Sequence, residues 1–488
     1  AKETREYIPG RSVYEVFRRD PDRVRRYAGD DVEEAAGIAR LLGGAAFALS
    51  RMAPRRNERL ADAGAATGVL DPLLVRAYLR AGAALPAHEA WDGTSHSGAA
   101  LHLFSTGVAH RIVKADVASL YPSLMRQSRI GPSRDRLGVL VTIVDRLVDQ
   151  RLAAKAAARA APPGSAERHT HDAMSAAMKI VVNSAYGYLG AGGLTRFADV
   201  HAANEVTRHG RQVLELTCRE LGRRGVTLLE ADTDGVYFAV PESWNEADER
   251  RVVAEVAALL PKRVQLEFDG RYAAMLSHEP KNYALMPYRG AVILRGVAFR
   301  SSRAEPFGEA FLRRAITALL EGDMAGVKRA FAEIVVALRK REIPTFDVAA
   351  RVRLTKTRTE YETTRRERRE LPYEAMLRAG HTTWTTGERV RVYRTATGEA
   401  GLWSEVDPED DSDKSRIESD RRDYDVEYYV RLLRETFAAR LARAMSAETF
   451  AALFADPDRP SLFETPASTL RPILTVIGDP DQVFAKPL

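Results

Sequence analysis

The segment VTLLEADTDGVYFAV, residues 226–240, limits most strongly how this chain can fold. Two apolar runs rich in β-prone residues are joined by Asp-Thr-Asp-Gly, which is typical of the tight turn of a β-hairpin. Asp232 and Asp234 therefore flank Thr233 at a turn. The hairpin requires a sheet in which its two strands find neighbours.

Other segments supply candidate neighbours for the hairpin. HRIVKADV, residues 110–117, predicts a strand that runs into an acidic residue, Asp116. Further strands are expected at 264–268 and 291–299. Because the regions between them have helical periodicity, the sequence predicts an α+β fold with a sheet flanked by helices.

Helical patterns dominate the rest of the chain. Two long ones between residues 135 and 188 are interrupted by APPG at 161–164, which predicts an αα-hairpin with its tip near Pro163. The first hundred residues read as helices with loops, and the region after residue 300 as mostly helical and in places very basic. The acidic stretch at 405–413 is interpreted as a solvated loop.

Composition narrows the class of protein. The chain has 488 residues, too many for one core, so roughly two to four lobes are expected. No apolar run reaches the ~18 residues needed to cross a bilayer, so we expect no membrane partner and a cytoplasmic location. Cys218 is the only cysteine, which excludes a disulfide within the chain and a cysteine-rich zinc site. The net charge of +6 permits a polyanionic partner without requiring one.

Three carboxylates could converge at one edge of the sheet, since Asp116 ends a strand and Asp232 and Asp234 lie at the hairpin turn. Carboxylates with water and phosphate oxygens are the ligands that magnesium prefers. The alternative is that these aspartates only favour a turn and a strand end, as Asp before Gly often does.

A second group of candidates is basic. Arg151 and Lys155 are four residues apart on the first helix of the αα-hairpin, and Lys179 and Asn183 are four apart on the second. Arg and Lys side chains match the oxygens of a nucleoside triphosphate. The alternative is a solvent-facing helix pair with ordinary charged residues.

Three segments resemble the polymerase motifs of the B-family DNA polymerases. DVASLYPS at 116–123 resembles the first motif, KIVVNSAYGYLG at 179–190 the second, and ADTDGVYF at 231–238 the third, in the family's order. Weaker similarity extends to PKNYAL at 280–285 and to DYDVEYYVRLL at 423–433, the latter similar to a thumb segment of archaeal members.

The resemblance implies a magnesium-dependent polymerase with two metal ions, for which Mn²⁺ could substitute. Asp116 and Asp234 would be the principal metal ligands and catalytic residues, Asp232 a supporting acid, and the carbonyl of Val117 a further ligand. The implied nucleotide-binding residues are Val117, Ser119, Leu120, Tyr121, Arg151, Lys155, Lys179, Asn183 and Tyr186. Tyr121 would exclude a 2′-hydroxyl, and Gly187, Lys281 and Tyr283 would contact the primer and template.

The implied architecture is that of a right hand: a palm sheet, helical-hairpin fingers and a mainly helical thumb. The expected boundaries are a remnant of an exonuclease domain with a helical lead-in at 1–98, palm at 99–134, fingers at 135–187, palm again at 188–300, and thumb with a C-terminal tail at 301–488.

The proofreading part of the family is largely missing. Tyr27 and Asp31 resemble its late exonuclease motif, whereas the earlier Asp-x-Glu is not visible. The chain is therefore interpreted as a natural or engineered truncation or half of a split enzyme, without proofreading by itself. A separate exonuclease chain or a sliding clamp are possible partners. The family's Tyr-x-Gly-Gly segment is replaced by His96, Ser97, Gly98 and Ala99.

The sequence therefore predicts a template-directed DNA polymerase of replication or repair, nucleoid-associated in a prokaryote. It would join deoxynucleoside triphosphates to a primer paired with template DNA. Two alternatives stay open: a relic that holds primer and template without chemistry, and a B-family polymerase that starts chains without a primer or acts across lesions.

Overall fold

The computed structural model describes residues 5–53, 55–90, 92–301, 303–403, 420–459 and 465–484. The chain divides into two compact units, each built from segments that are distant in sequence. The first unit contains residues 1–99, 117–213 and 260–265, and the second contains 100–116, 214–259 and 266–488. The acidic stretch at 405–413 lies outside the described residues.

The first unit is helical. Its helices are α1 (Val13–Arg19), α2 (Pro21–Leu42), α3 (Gly44–Met52), α4 (Asn57–Ala65), α5 (Asp71–Arg80), α6 (Leu120–Ser128), α7 (Val139–Ala160), α8 (Ala166–Leu189) and α9 (Val200–Arg223), of which α9 belongs to this unit as far as Val213. Asp20 caps α2 by accepting a hydrogen bond from the Arg23 N–H, and Pro21 fits its first turn.

Helices α7 and α8 form the predicted αα-hairpin. The connection contains Pro162, Pro163 and Gly164, and Ser165 caps α8 by accepting from the Arg168 N–H. The buried residues of α8 recur every three or four positions, from Ala177 to Leu189, so one face of the helix lies in the core.

The second unit contains the palm-like sheet that the sequence predicts. Its strands are β1 (Leu101–Leu103), β2 (Ser105–Val117), β3 (Thr227–Asp232), β4 (Gly235–Ala239), β5 (Leu266–Glu279), β6 (Asn282–Met286) and β7 (Ile293–Arg295), in the order β1-β3-β4-β2-β5-β6-β7. The pairs β1–β3, β3–β4, β2–β4, β5–β6 and β6–β7 are antiparallel.

The sheet is strongly curved, as contacts between non-adjacent strands show. The hydroxyls of Tyr237 on β4 and Tyr283 on β6 are 3.2 Å apart, although β2 and β5 lie between those strands in the sheet. The curvature allows side chains of β3 and β4 to reach the turn between β5 and β6.

Helices and a second sheet complete this unit. The helices are α10 (Glu246–Ala257), α11 (Pro306–Leu320), α12 (Met324–Arg339), α13 (Thr345–Val348), α14 (Arg358–Thr364), α15 (Leu371–Arg378), α16 (Val426–Leu432), α17 (Ala447–Leu453) and α18 (Pro480–Phe484). The remaining strands are β8 (Ala350–Arg353), β9 (Arg389–Arg394), β10 (Ala400–Trp403) and β11 (Leu474–Val476). Strands β8, β9 and β10 form a separate three-stranded sheet, and β11 pairs with β2.

Two strands differ in length from the sequence prediction. The strand expected at 264–268 begins at Leu266 and continues to Glu279, past Asp269 and Gly270, which interrupt the apolar pattern. The strand expected at 291–299 is confined to Ile293–Arg295. It ends because Gly296 adopts a φ of 83°, which turns the chain out of the sheet.

In the part of the chain that the structure describes, no helix is long and apolar enough to span a membrane. The mixed helix and sheet content confirms the predicted α+β class.

Candidate active site

The three predicted carboxylates surround one residue of the sheet, Gly235. Asp116 on β2 and Asp232 on β3 are both register partners of Gly235, one from each neighbouring strand. Asp234 precedes Gly235 in the turn. The hairpin and the end of β2 therefore bring the three aspartates together within the second unit, as the sequence predicts.

Gly235 gives the carboxylates room. A Cβ atom at this position would lie 3.0 Å from Oδ1 of Asp116 and 3.6 Å from Cε of Lys114. A separation of 3.0 Å is tighter than ordinary van der Waals contact, so a larger residue would displace the Asp116 carboxylate.

The turn itself is strained. Thr233 has a φ of 56°, in the left-handed region that β-branched residues avoid. Its N–H donates to the carbonyl of Ala100 at 3.0 Å, and its hydroxyl donates to Oδ1 of Asp232 at 3.0 Å. Strain of this kind, about 1–3 kcal/mol, persists only where the surroundings enforce it and is common at functional sites.

The pKa of Asp234 is raised by burial and by neighbouring charges. Burial raises its pKa to about 6, and the charges of Asp116 and Asp232 act in the same direction, while Lys114 opposes them. A bound cation would offset the unfavourable burial and the charge repulsion that raise the pKa of Asp234.

Sequence reasoning missed two residues next to Asp116. Nζ of Lys114 lies 3.4 Å from Oδ2 of Asp116 and 2.5 Å from Oδ2 of Asp269. Burial alone would lower the pKa of Lys114, but the hydrogen bond to Asp269 and the charge of Asp116 outweigh it and raise the pKa. Asp269 could have been found only by pairing its strand, β5, with β2.

The predicted residues Lys281 and Tyr283 lie near the hairpin. Nζ of Lys281 is 3.3 Å from Oδ1 of Asp232, and its backbone N–H donates to Oε1 of Glu230 at 2.7 Å. Burial raises the pKa of Glu230 to about 7, although the hydrogen bond from Lys281 acts to lower it. The Tyr283 hydroxyl is within hydrogen-bond distance of the Tyr237 hydroxyl.

The donor set suits a hard divalent cation, because all three aspartates offer only carboxylate oxygens and Gly235 leaves space beside Asp116. Lysine ammonium groups already lie beside Asp116 and Asp232 and act as cations there. Across the described ranges, no three His, Cys, Asp or Glu side chains form a closed group that could hold a metal alone. Any ion bound here would need further oxygens from water or substrate.

The predicted nucleotide-binding residues belong to the first unit. Lys179, Asn183 and Gly187 lie on the exposed face of α8, opposite its buried face. On α7, Lys155 is exposed and Arg151 is half-buried. The three α8 residues therefore form one exposed stripe at four-residue spacing, whereas on α7 only Lys155 of the predicted pair is exposed.

The first motif in this unit continues from Val117, the buried last residue of β2, into a turn. Ser119 adopts a φ of 53° and directly precedes α6, which begins at Leu120. The rings of Tyr121 and Tyr186 are 4.2 Å apart between centroids, so α6 and α8 present two adjoining aromatic side chains.

The segment that replaces Tyr-x-Gly-Gly contacts the same tyrosine. The hydroxyl of Tyr186 lies 2.6 Å from Nε2 of His96. Ser97 is held by Asn204, whose Oδ1 accepts from the Ser97 N–H at 2.8 Å, and Arg211 donates to the carbonyls of Ser97 and Gly98.

The two residues interpreted as an exonuclease remnant lie on α2. The charge of Asp31 raises the pKa of Tyr27, and Asp31 forms an ion pair with Arg5.

Comparison with known proteins adds independent findings. The family described as DNA polymerase family B matches residues 126–443. "DNA polymerase 1" of Pyrococcus abyssi is 27% identical over 263 residues, which cover 49% of this chain and 34% of that protein. The DNA polymerase of Thermococcus gorgonarius is 24% identical over 364 residues, covering 69% of this chain and 45% of that protein. The chain therefore spans less than half the length of these curated relatives.

A solved structure shows the same fold. It is the family B DNA polymerase from the hyperthermophilic archaeon Pyrobaculum calidifontis, with a TM-score of 0.64 and 21% identity. The match covers 90% of this chain and 58% of that one.

Proposed function

Because this chain belongs to DNA polymerase family B, we propose that it is a DNA-directed DNA polymerase that adds deoxynucleotides to the 3′-hydroxyl of a primer. The observation that carries the proposal is the arrangement of Asp116, Asp232 and Asp234 around Gly235, with the pKa of Asp234 raised by burial and by the other two charges. Proteins of this family generally use divalent metal ions.

The proposed ions are two Mg²⁺, with Mn²⁺ as a substitute. Asp116 and Asp234 would hold them, with Asp232 and the carbonyl of Val117 in support. Such ions activate the attacking hydroxyl and stabilise the charge on the departing pyrophosphate. Gly235 keeps the Asp116 carboxylate unobstructed, and Lys114 limits the charge repulsion that Asp234 experiences.

The proposed substrates are a deoxynucleoside triphosphate and primer–template DNA. Arg151 and Lys155 on α7 and Lys179 and Asn183 on α8 would bind the triphosphate. Phosphoryl transfer depends mainly on positioning and charge neutralisation, which such side chains supply. The backbone amides of Ser119 and Leu120 would support them. The adjoining rings of Tyr121 and Tyr186 would lie under the sugar and the nascent base pair, where the Tyr121 ring would exclude a 2′-hydroxyl.

The remaining proposed contacts are to DNA, through Gly187, Lys281 and Tyr283. We assign the palm to 99–134 and 188–300, the fingers to 135–187 and the thumb with its tail to 301–488. Proofreading by this chain alone is not expected, because Tyr27 and Asp31 supply only one carboxylate and Asp31 is engaged by Arg5.

Primer extension with magnesium tests the proposal. Asp234→Ala is expected to abolish extension while leaving duplex binding, measured by fluorescence anisotropy, nearly unchanged. Glu435→Ala, which removes an exposed carboxylate, is the matched control and should extend at the wild-type rate. Extension by Asp234→Ala at the wild-type rate would refute the assignment.

The same assay separates the two alternatives. A wild-type chain that binds primer–template but never extends it would be a non-catalytic relic. Synthesis on unprimed single-stranded template, or efficient extension past a template lesion, would identify the primer-independent or lesion-bypass type.

A further inference from the structure

Glu230 is a buried carboxylate that has no role in the proposed reaction. It lies in β3, two residues before Asp232, and is 1% exposed. Its Oε2 atom is buried and, among the residues that the structure describes, has no hydrogen-bond partner. Leaving a buried polar group unsatisfied destabilises the folded state. An apolar side chain would therefore suit this position better if packing were the only requirement.

The other oxygen of Glu230 has a definite contact. Oε1 accepts the backbone N–H of Lys281 at 2.7 Å. Lys281 has a φ of 63°, in the left-handed region that is unfavourable for a non-glycine residue. The hydrogen bond from this N–H to Glu230 offsets the cost of that conformation.

The same turn is supported from its opposite side. A Cβ atom at Gly296 would overlap the carbonyl oxygen of Lys281 and Oδ1 of Asn282. The Asn282 oxygen also accepts the N–H of Ala298 at 2.9 Å. The turn between β5 and β6 is therefore clamped between Glu230 and the segment that follows β7.

The clamp determines where the lysine side chain lies. The Lys281 side chain is 60% exposed, yet its Nζ lies 3.3 Å from Oδ1 of Asp232. An exposed ion pair is too weak to fix a long side chain unless the backbone is also fixed.

We propose that Glu230 is a positioning residue: its carboxylate fixes the backbone of Lys281, which places the Lys281 ammonium beside Asp232 for contact with the primer–template. This role rests on the proposed polymerase function. Glu230 would act through Lys281 and not by direct contact with substrate or metal. Its partly unsatisfied burial is a stability cost retained for the geometry of the lysine.

The test compares Glu230→Met with Glu230→Gln. Met has a similar unbranched shape but cannot accept the hydrogen bond, whereas Gln keeps an oxygen acceptor without the charge. We expect Glu230→Met to keep a stability close to that of the wild type in urea unfolding, because the lost bond to Lys281 is offset by removal of the unpartnered Oε2 atom. It should nevertheless lose on the order of tenfold in kcat/KM, mainly through KM for primer–template. Glu230→Gln should stay within about twofold of the wild type, since one acceptor oxygen suffices for the bond.

A double-mutant cycle separates positioning from a general structural effect. If Glu230 acts through Lys281, adding Glu230→Met to Lys281→Ala should cause little further loss. Additive losses would overturn the proposal. So would a Glu230→Met variant that extends primers like the wild type, or one that loses activity in proportion to lost stability.

Hydrogen exchange gives a readout that does not need activity. The Lys281 amide should be protected in the wild type and in Glu230→Gln but exchange rapidly in Glu230→Met. A wild type that fails to extend primers would reject the proposed polymerase function, whereas equal protection in all three chains would reject the role of Glu230 alone.

Discussion

Replacing Asp234 by Asn is expected to stabilise the folded chain at neutral and alkaline pH. Burial and the charges of Asp116 and Asp232 raise the Asp234 pKa from an ordinary 3.8 to about 6. Between these two values the folded chain binds more protons than the unfolded chain. Stability therefore falls as the pH rises through this window, and the penalty is complete above the folded pKa.

The size of the effect follows from the shift. Roughly two pKa units at about 1.4 kcal/mol each give a ceiling of about 3 kcal/mol. Asp234 is only partly buried, and solvent screening reduces the value to about 1–2 kcal/mol. Asn has nearly the same shape without a charge, so the variant should gain this amount at pH 8 and little at pH 4.

Urea unfolding at both pH values, without divalent ions, measures the difference. Glu435→Gln, at an exposed carboxylate, is the control and should change stability by no more than about 0.5 kcal/mol at either pH. The reasoning would be refuted by an Asp234→Asn variant no more stable than the wild type at pH 8, or by an equal gain at both pH values.

Other perturbations test neighbouring features. Lys114→Met removes the ammonium that lowers the Asp234 pKa and should steepen the loss of stability between about pH 4 and 7; an unchanged urea titration would contradict this. In thermal scans, magnesium at a hundredfold excess over its Kd should stabilise the wild type by about 2.7 kcal/mol. A chelator should reverse this gain, and Asp234→Asn should gain less from magnesium than the wild type does. The added methyl group of Gly308→Ala would overlap the ring of Phe437 and should lower the free energy of unfolding in urea by about 1–3 kcal/mol. Adding Phe437→Leu should partly restore that stability, whereas a Gly308→Ala variant as stable as the wild type would show that the packing here is loose. Cys218 is buried and its thiol pKa is raised by burial, so a thiol reagent should modify it only in denaturant, and rapid modification of the native chain would disprove this.

Local patterns in the sequence were sufficient to predict the elements that carry the motifs. The strand ending near Asp116, the hairpin at 226–240 and the αα-hairpin near Pro163 all form. Each is defined by residues close in sequence: alternating apolar residues, a tight-turn sequence, or helical periodicity with a proline stop. The convergence of the aspartates follows because β2 and β3 both pair with β4.

Features that depend on distant contacts could not be predicted this way. The ion pair of Lys114 with Asp269 requires β2 and β5 to be neighbours, and the bond from Lys281 to Glu230 requires the curvature of the sheet. The three-stranded sheet was missed although RVRVYR, residues 389–394, alternates basic and mostly apolar residues. This alternation has the period of a strand, and the segment forms β9.

The interleaved make-up of the two units has a consequence for synthesis and folding. The N–H of Ala118 donates to the carbonyl of Gln265 at 3.0 Å within the first unit, so that unit lacks a segment until residue 265 has been translated. Contacts between such distant positions require large loops to close and tend to slow folding. A single proteolytic cut cannot release either unit intact, and an isolated first unit would have to be built as a rejoined or permuted chain.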